Sequence, residues 1–300
     1  MVIQLPMSDF LVLTFKDYQQ PAENLARVLG VECKLIDSRS FPDDESLIAV
    51  PQNLPANIII CRSLDHPNNK LIELILAVNA CRAHGAEHVS LVAPYMCYMR
   101  QDKEFIPGQA ISQQTIGPIL AAYFNKIITV DPHLHRVESL DEVFPAVATS
   151  NVSAANAMTG FLRTAVDGSD NYVLIGPDEE SEQWVSVIAK NINASYVIAT
   201  KTRSGDRDVS IVLPEFDYNN KRCIIIDDMI STGVTVARLV ELLKAKGAME
   251  FSVLVTHALF AEGAEQLLAD SGINNIWSTD TVLHPGNCIS MAESLADACR

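Results

Sequence analysis

The stretch RCIIIDDMISTGVTVARLVELL, residues 222–243, runs from an apolar segment into two consecutive carboxylates, Asp227 and Asp228, and then into a turn of hydroxyls and glycine. A short β-branched run of this kind suits a strand buried on both faces of a parallel sheet. The residues that follow, VTVARLVELLKAKG, place apolar side chains at helical spacing and end on Gly247, the residue type that helix C-termini favour. Strand, polar turn and helix together make the repeating unit of an α/β fold.

The same alternation runs along the whole chain. Apolar runs occur at FLVLTF, NIIIC, HVSLVAP, KIITVD, YVLIGPD, SYVIAT, CIIIDD and FSVLVTH. Between them lie helical patterns such as PAENLARVLG, KLIELILAVNACRAHG, QTIGPILAAYF and SEQWVSVIAKNI. The series passes twice, with the connection ATSNVSAANAM at 148–158 between the passes. We expect two similar doubly wound α/β domains, 1–148 and 149–300, each with a central, mainly parallel sheet. Ligands of such sheets bind beyond the carboxyl ends of the strands, which directs attention to the residues just after each run.

Composition narrows the function. A formal charge of -15 over 300 residues argues against nucleic acid or an anionic membrane as partner, since Lys and Arg supply most of that affinity. An acidic chain that binds a polyphosphate is expected to do so with a divalent metal. Seven cysteines, odd in number and without a CxxC pair, fit small core residues in a reduced cytoplasm better than a disulfide or zinc framework. No leader-like segment opens the sequence, and LIELILAVNA at 71–80 is too short and carries Glu73, so neither export nor membrane insertion is expected.

The chemistry of the opening stretch can be read from its residue types. A helix N-terminus offers unpaired N–H groups and partial positive charge, a seat for phosphate that Ser231, Thr232, Gly233 and Thr235 leave accessible. Adjacent carboxylates accept hydrogen bonds from vicinal sugar hydroxyls or complete a metal shell. A single acid beside a helix cap would more often be plain structure. Two acids followed by S-T-G-x-T describe a cradle for a ribose 5-phosphate group.

This stretch resembles the phosphoribosyl-pyrophosphate loop shared by type I phosphoribosyltransferases and ribose-phosphate pyrophosphokinases, with its S-T-G form similar to the archaeal-like branch of the latter. Five further segments resemble the pyrophosphokinases in the family's order: SRSFPDDESLIAV (38–50), PYMCYMRQDKEFIPGQAISQQ (94–114), TVDPHLHR (129–136), IGPDEES (175–181) and KTRSGDRDVSI (201–211). The resemblance implies a type I phosphoribosyltransferase-like fold and attack of the ribose 1-hydroxyl on the β-phosphorus of ATP. It implies Lys201 and Arg203, beside Ser204, Gly205 and Asp206, as catalytic cations on a closing loop; two cations near glycine would otherwise mark a solvated turn. It further implies Arg100, Gln101 and Asp102 as ATP contacts, and Phe41, Asp43 and Glu45 as the adenine element reaching a neighbouring subunit's site. His133 and Asp178 are the implied Mg²⁺ side chains. ATP and ribose 5-phosphate are thus the expected small-molecule partners, and a homo-oligomer with its ATP site at a dimer interface the expected assembly.

Some positions depart from the family pattern. Val234 stands where glycine is common and must take an ordinary φ or carry strain. Glu179 and Glu180 bring extra negative charge after Asp178, and either recruit a cation or face solvent. Gln109 replaces a common Glu. A phosphoribosyltransferase and a catalytically silent homologue are the competing readings; the first has no need of the Arg100 and Phe41 segments, and the second should have lost the cations and metal-side residues.

Overall fold

A computed structural model describes residues 9–166, 171–203 and 209–300. The first pass of the chain forms β1 (Phe10–Thr14), α1 (Gln19–Leu29), β2 (Glu32–Leu35), β3 (Asp37–Ser40), β4 (Ser46–Ala49), β5 (Asn57–Cys61), α2 (Pro67–Ala83), β6 (His88–Val92), α3 (Ser112–Tyr123), β7 (Lys126–Val130), α4 (Leu140–Val143) and β8 (Ala148–Val152). The second forms α5 (Ala155–Ala165), β9 (Tyr172–Gly176), α6 (Glu182–Ile192), β10 (Ser195–Ile198), β11 (Thr200–Arg203), β12 (Val209–Val212), β13 (Arg222–Ile230), α7 (Val234–Ala245), β14 (Glu250–Ala258), α8 (Ala264–Asp270), β15 (Ile273–Thr279) and β16 (Asn287–Ile289). Helix α9 (Ala292–Cys299) follows.

Each pass builds one six-stranded sheet, in the orders β2-β1-β5-β6-β7-β8 and β10-β9-β13-β14-β15-β16. Every pairing within both sheets is parallel. The two orders are the same series: first strand inside, second at the edge, then an antiparallel hairpin (β3–β4 or β11–β12), then a return to the other side of the first strand. The direction of winding therefore reverses between β1 and β5, and between β9 and β13. The α/β, doubly wound architecture is as expected, and each sheet has its own apolar core.

The divide between the units differs from the expected boundary. One unit runs to Ser153 and also includes Met291–Arg300; the other is Ala154–Ser290. Residues 148–158 are not a linker: 148–152 form the edge strand β8, paired with β7, and 155–165 form α5. An edge strand is half-wet, and β8 accordingly lacks a long apolar run. Helix α9 packs on α1, as α5 packs on α6 in the second unit. Its Leu295 and Ala296 are buried, and Lys126 Nζ donates to the Ala298 carbonyl at 2.6 Å.

Candidate functional site

In the second unit the site begins with β13. Its nine residues extend through Ile230, so Asp227 and Asp228 lie inside the strand, not after it. Asp227 pairs with Val255 of β14, and the Asp228 N–H donates to Asp227 Oδ1 at 3.0 Å. Asp178 follows the neighbouring strand β9 by two residues and stands at the same carboxyl edge, where the winding reverses. Burial pushes the Asp227 carboxyl well above the usual carboxylate range, and the charges of Asp228 and Asp178 push it further. The charges of two other acids thus act on Asp227, and a cation or a set of hydroxyl donors beside it would relieve the repulsion.

The phosphate turn comes next. Gly233 takes φ 74° and precedes the first helical residue, Val234. Val234 is accordingly helical and 58% exposed, so the left-handed position falls on the glycine and the valine carries no backbone strain. Thr235 is in the first turn of α7, not ahead of it. The Ile230 and Ser231 carbonyls accept from Phe260 and Ala261 N–H at 3.1 and 2.8 Å, which fixes the turn against the segment after β14. The first N–H groups of α7 have no carbonyl behind them within the helix, and Ser231, Thr232 and Thr235 are all at least partly exposed beside them.

The hairpin β11–β12 springs from this edge. The Ala199 N–H, just after β10, donates to the Gly176 carbonyl at the end of β9 at 2.8 Å. Lys201, half-buried, then pairs across the hairpin with Ile211, and the backbone of Arg203 pairs with Val209. Ser204, Gly205 and Asp206 lie outside the described residues. Glu179 and Glu180 are exposed.

The first unit presents its groups at the carboxyl edge of its own sheet. His133 follows β7 after Asp131 and Pro132, half-buried, with the ring of His135 6.2 Å away. Asp131 is buried and holds φ 34°, a backbone conformation that costs a non-glycine residue about 1–3 kcal/mol and is tolerated where the surroundings fix it, here by its N–H on the Val152 carbonyl at 3.0 Å. Arg100 is exposed and Gln101 half-buried. Gln101 Nε2 donates to the Lys103 carbonyl at 3.2 Å. Gln109 Oε1 accepts from Ile106 N–H at 3.1 Å, which gives that residue a loop-bracing part. The Asp102 carboxylate points inward, 2% exposed, and Arg136 Nη1 donates to both its oxygens at 2.8 Å.

Phe41, Asp43 and Glu45 cap the β3–β4 hairpin, where Phe41 N–H donates to the Glu45 carbonyl at 2.8 Å. With Pro42 they line an open recess of about 490 Å³, and Phe41 is 48% exposed. Sequence reading did not find what holds this hairpin. Ser38 Oγ donates to Glu73 Oε1 of α2 at 2.7 Å, and the buried Arg62 reaches Glu73 at 2.6 Å and Asp17 at 3.0 Å. Arg62 also lies 3.8 Å from the centre of the Phe15 ring. No local pattern announces such a cluster, because its members are far apart in the chain. Cys97 and Cys223, in the same segments as the site, are buried and their thiols are pushed up to about 12, which removes them as nucleophiles. Among the described residues no group of three or more His, Cys, Asp or Glu side chains forms a metal site, and no helix is long and apolar enough to cross a membrane.

Residues 10–123 match the family described as the N-terminal domain of ribose phosphate pyrophosphokinase, and residues 151–283 match the phosphoribosyl transferase domain family. A ribose-phosphate pyrophosphokinase of Methanopyrus kandleri is 32% identical over 96% of this chain and 98% of its own. One from Thermoplasma acidophilum is 30% identical over 92% and 93%. The crystal structure of phosphoribosylpyrophosphate synthetase from Mycobacterium smegmatis superposes with a TM-score of 0.82 over 97% of both chains at 23% identity, a likeness of fold.

Proposed function

This chain belongs to the ribose-phosphate pyrophosphokinase family, and from that premise we propose how its residues divide the work. The enzyme transfers the pyrophosphoryl group of ATP to the 1-hydroxyl of ribose 5-phosphate, giving 5-phosphoribosyl 1-diphosphate and AMP. The observation that carries the site reading is that the adjacent strands β9 and β13 bring Asp178, Asp227 and Asp228 to the edge where the winding reverses, with the first turn of α7 and the root of the Lys201 hairpin at that same edge.

In this reading the 5-phosphate sits on the first N–H groups of α7, with hydroxyl donors from Ser231, Thr232 and Thr235. Asp227 and Asp228 accept from the vicinal ribose hydroxyls, so the sugar itself supplies donors to the crowded acids. Bound at both ends, the ribose keeps its 1-hydroxyl aimed at the β-phosphorus, and positioning is the larger part of the catalysis. Lys201 and Arg203 neutralise charge that builds on the transferring group as AMP leaves. Arg100 and Gln101 hold the nucleotide. Phe41, Asp43 and Glu45 stack on and bind adenine; their exposure on a projecting hairpin supports delivery to a second copy of the chain in a cytoplasmic homo-oligomer.

The donor chemistry fits Mg²⁺. A buried carboxylate whose pKa is raised by burial and by two neighbouring acids is suited to a divalent cation, and Mg²⁺ keeps several of its waters and borrows phosphate oxygens. Asp178 and His133 would hold it, and when bound it would offset the charge of the polyphosphate.

The test is direct. AMP and 5-phosphoribosyl 1-diphosphate should form together from ATP, ribose 5-phosphate and Mg²⁺. Absence of AMP with folded oligomer would remove the reading, and pyrophosphate release from phosphoribosyl diphosphate plus a nucleobase would turn it towards a transferase.

A further inference from the structure

The Asp102–Arg136 pair is an unusual use of a buried acid. Asp102 sits in the loop after β6, its carboxylate 2% exposed, and a lone charge so placed is unfavourable without a partner. Its partner comes from another loop: Arg136 Nη1 supplies both hydrogen bonds, at 2.8 Å each, three residues beyond His133. The guanidinium is nevertheless 36% exposed. Among the described residues its Nη2 and Nε make no hydrogen bond, so one corner of the fork is fixed and its free edge remains open. The ring of Phe105, 47% exposed, lies beneath this group, with Arg136 5.8 Å and Lys103 4.9 Å from its centre. Two cations thus stand over one half-exposed ring next to the Arg100–Gln101 segment.

A guanidinium held by a buried carboxylate at one corner and open at its remaining edge is pre-organised for a two-pronged grip on a phosphate. Asp102 has no exposed oxygen edge with which to read the nucleotide. We propose that Arg136 is a further ATP-phosphate-binding residue, and that Asp102 is its positioning residue, acting through Arg136 and not on the nucleotide. The pair also ties the loop after β6 to the loop that carries His133, so the nucleotide-binding and metal-side segments hold one relative setting. This rests on the reading that the Arg100 segment binds ATP.

Steady-state kinetics on the full chain, with ATP and ribose 5-phosphate varied separately, test it. Arg136→Ala should raise KM for ATP about tenfold or more, with KM for ribose 5-phosphate within twofold. Because this variant leaves Asp102 buried and unpaired, the double variant Asp102→Asn/Arg136→Gln removes both charges together, and it should fold and show the same ATP defect. Asp102→Asn alone should raise the ATP KM less. Combined with Arg136→Ala it should add nothing, since the two act as one unit. Multiplying effects would place Asp102 on the nucleotide itself and overturn its positioning role. An ATP KM within twofold of the parent in the double variant, while Arg100→Ala raises it, would overturn the inference and leave the nucleotide site standing. If Arg100→Ala and both Arg136 variants all leave it unchanged, the underlying site reading falls as well.

Discussion

Replacing Gly233 by alanine tests how tightly the phosphate turn is constrained. The glycine holds φ 74°, and an added Cβ would stand 3.2 Å from Leu268 Cγ, 3.3 Å from Leu268 Cδ2 and 3.4 Å from the Ala264 carbonyl. The left-handed conformation alone costs an L-residue about 1–2 kcal/mol. Pushing Leu268 back by a few tenths of an ångström adds about 1 kcal/mol, since Leu268 is fully buried in the core of the second unit. The sum, about 2–3 kcal/mol, corresponds to a fall in Tm of about 5–12 °C for a unit of this size. Gly263→Ala is the internal control: φ is 82°, the residue also precedes a helix, and nothing lies within 4 Å of the added Cβ. It should lose only the conformational part, about 1–2 kcal/mol. Thermal unfolding reads the stability difference and initial rates read the function. Gly233→Ala should raise KM for ribose 5-phosphate about tenfold or more by tilting the turn, with KM for ATP unaffected. If the two variants match in Tm and in ribose 5-phosphate KM, packing against Leu268 does not set the turn and the reasoning fails.

Lys201→Ala should lower turnover by about 10²–10³-fold while calorimetry still detects ribose 5-phosphate binding, because its charge is needed only as the transferring group develops charge; equal loss of binding would make Lys201 a substrate anchor. Asp227 offers a pH signature. Its pKa is raised in the folded protein, so the folded state keeps the proton longer than the unfolded chain, and stability is lost as pH rises through the carboxylate range and beyond. Asp227→Asn cannot lose that stability, so in chelator-treated protein its Tm advantage over the parent should grow from pH 4 to pH 8; parallel pH curves would contradict a raised Asp227 carboxyl. In the first unit, Leu295→Ala should cost about 2–4 kcal/mol, seen in chemical denaturation, because the side chain is 4% exposed between α9 and its neighbours.

Strands buried on both faces were the most legible part of the sequence. NIIIC and CIIIDD are nearly uniform apolar runs because both faces of β5 and β13 are covered. The edge strands β2 and β8 and the two hairpins have no such signature: each has wet positions, and β3 is exposed along its whole length. For the site, the acids, the turn and the Lys201 segment could be found because each is contiguous. The end of β13 could not be foreseen. Ladder pairing with β14 continues past the acids to Ile230, and that depends on a strand some thirty residues away. Arg136 was hidden for the same reason. Its partner Asp102 lies in a different loop, and only the parallel order of β6 and β7 brings the two loops to one edge.

The placement of α9 bears on how the protein is made. By its chain path the second unit is an insert within the first, entered after Ser153 and left at Met291. A ribosome therefore releases the first sheet with the outer side of α1 uncovered, and that side stays bare while the whole insert is synthesised. At roughly 5–20 residues per second the wait is on the order of ten seconds. Trigger-type chaperones or an early-folding insert have that interval in which to act, and a fragment of the first unit made alone would need residues 291–300 grafted onto Ser153 to cover the same helix.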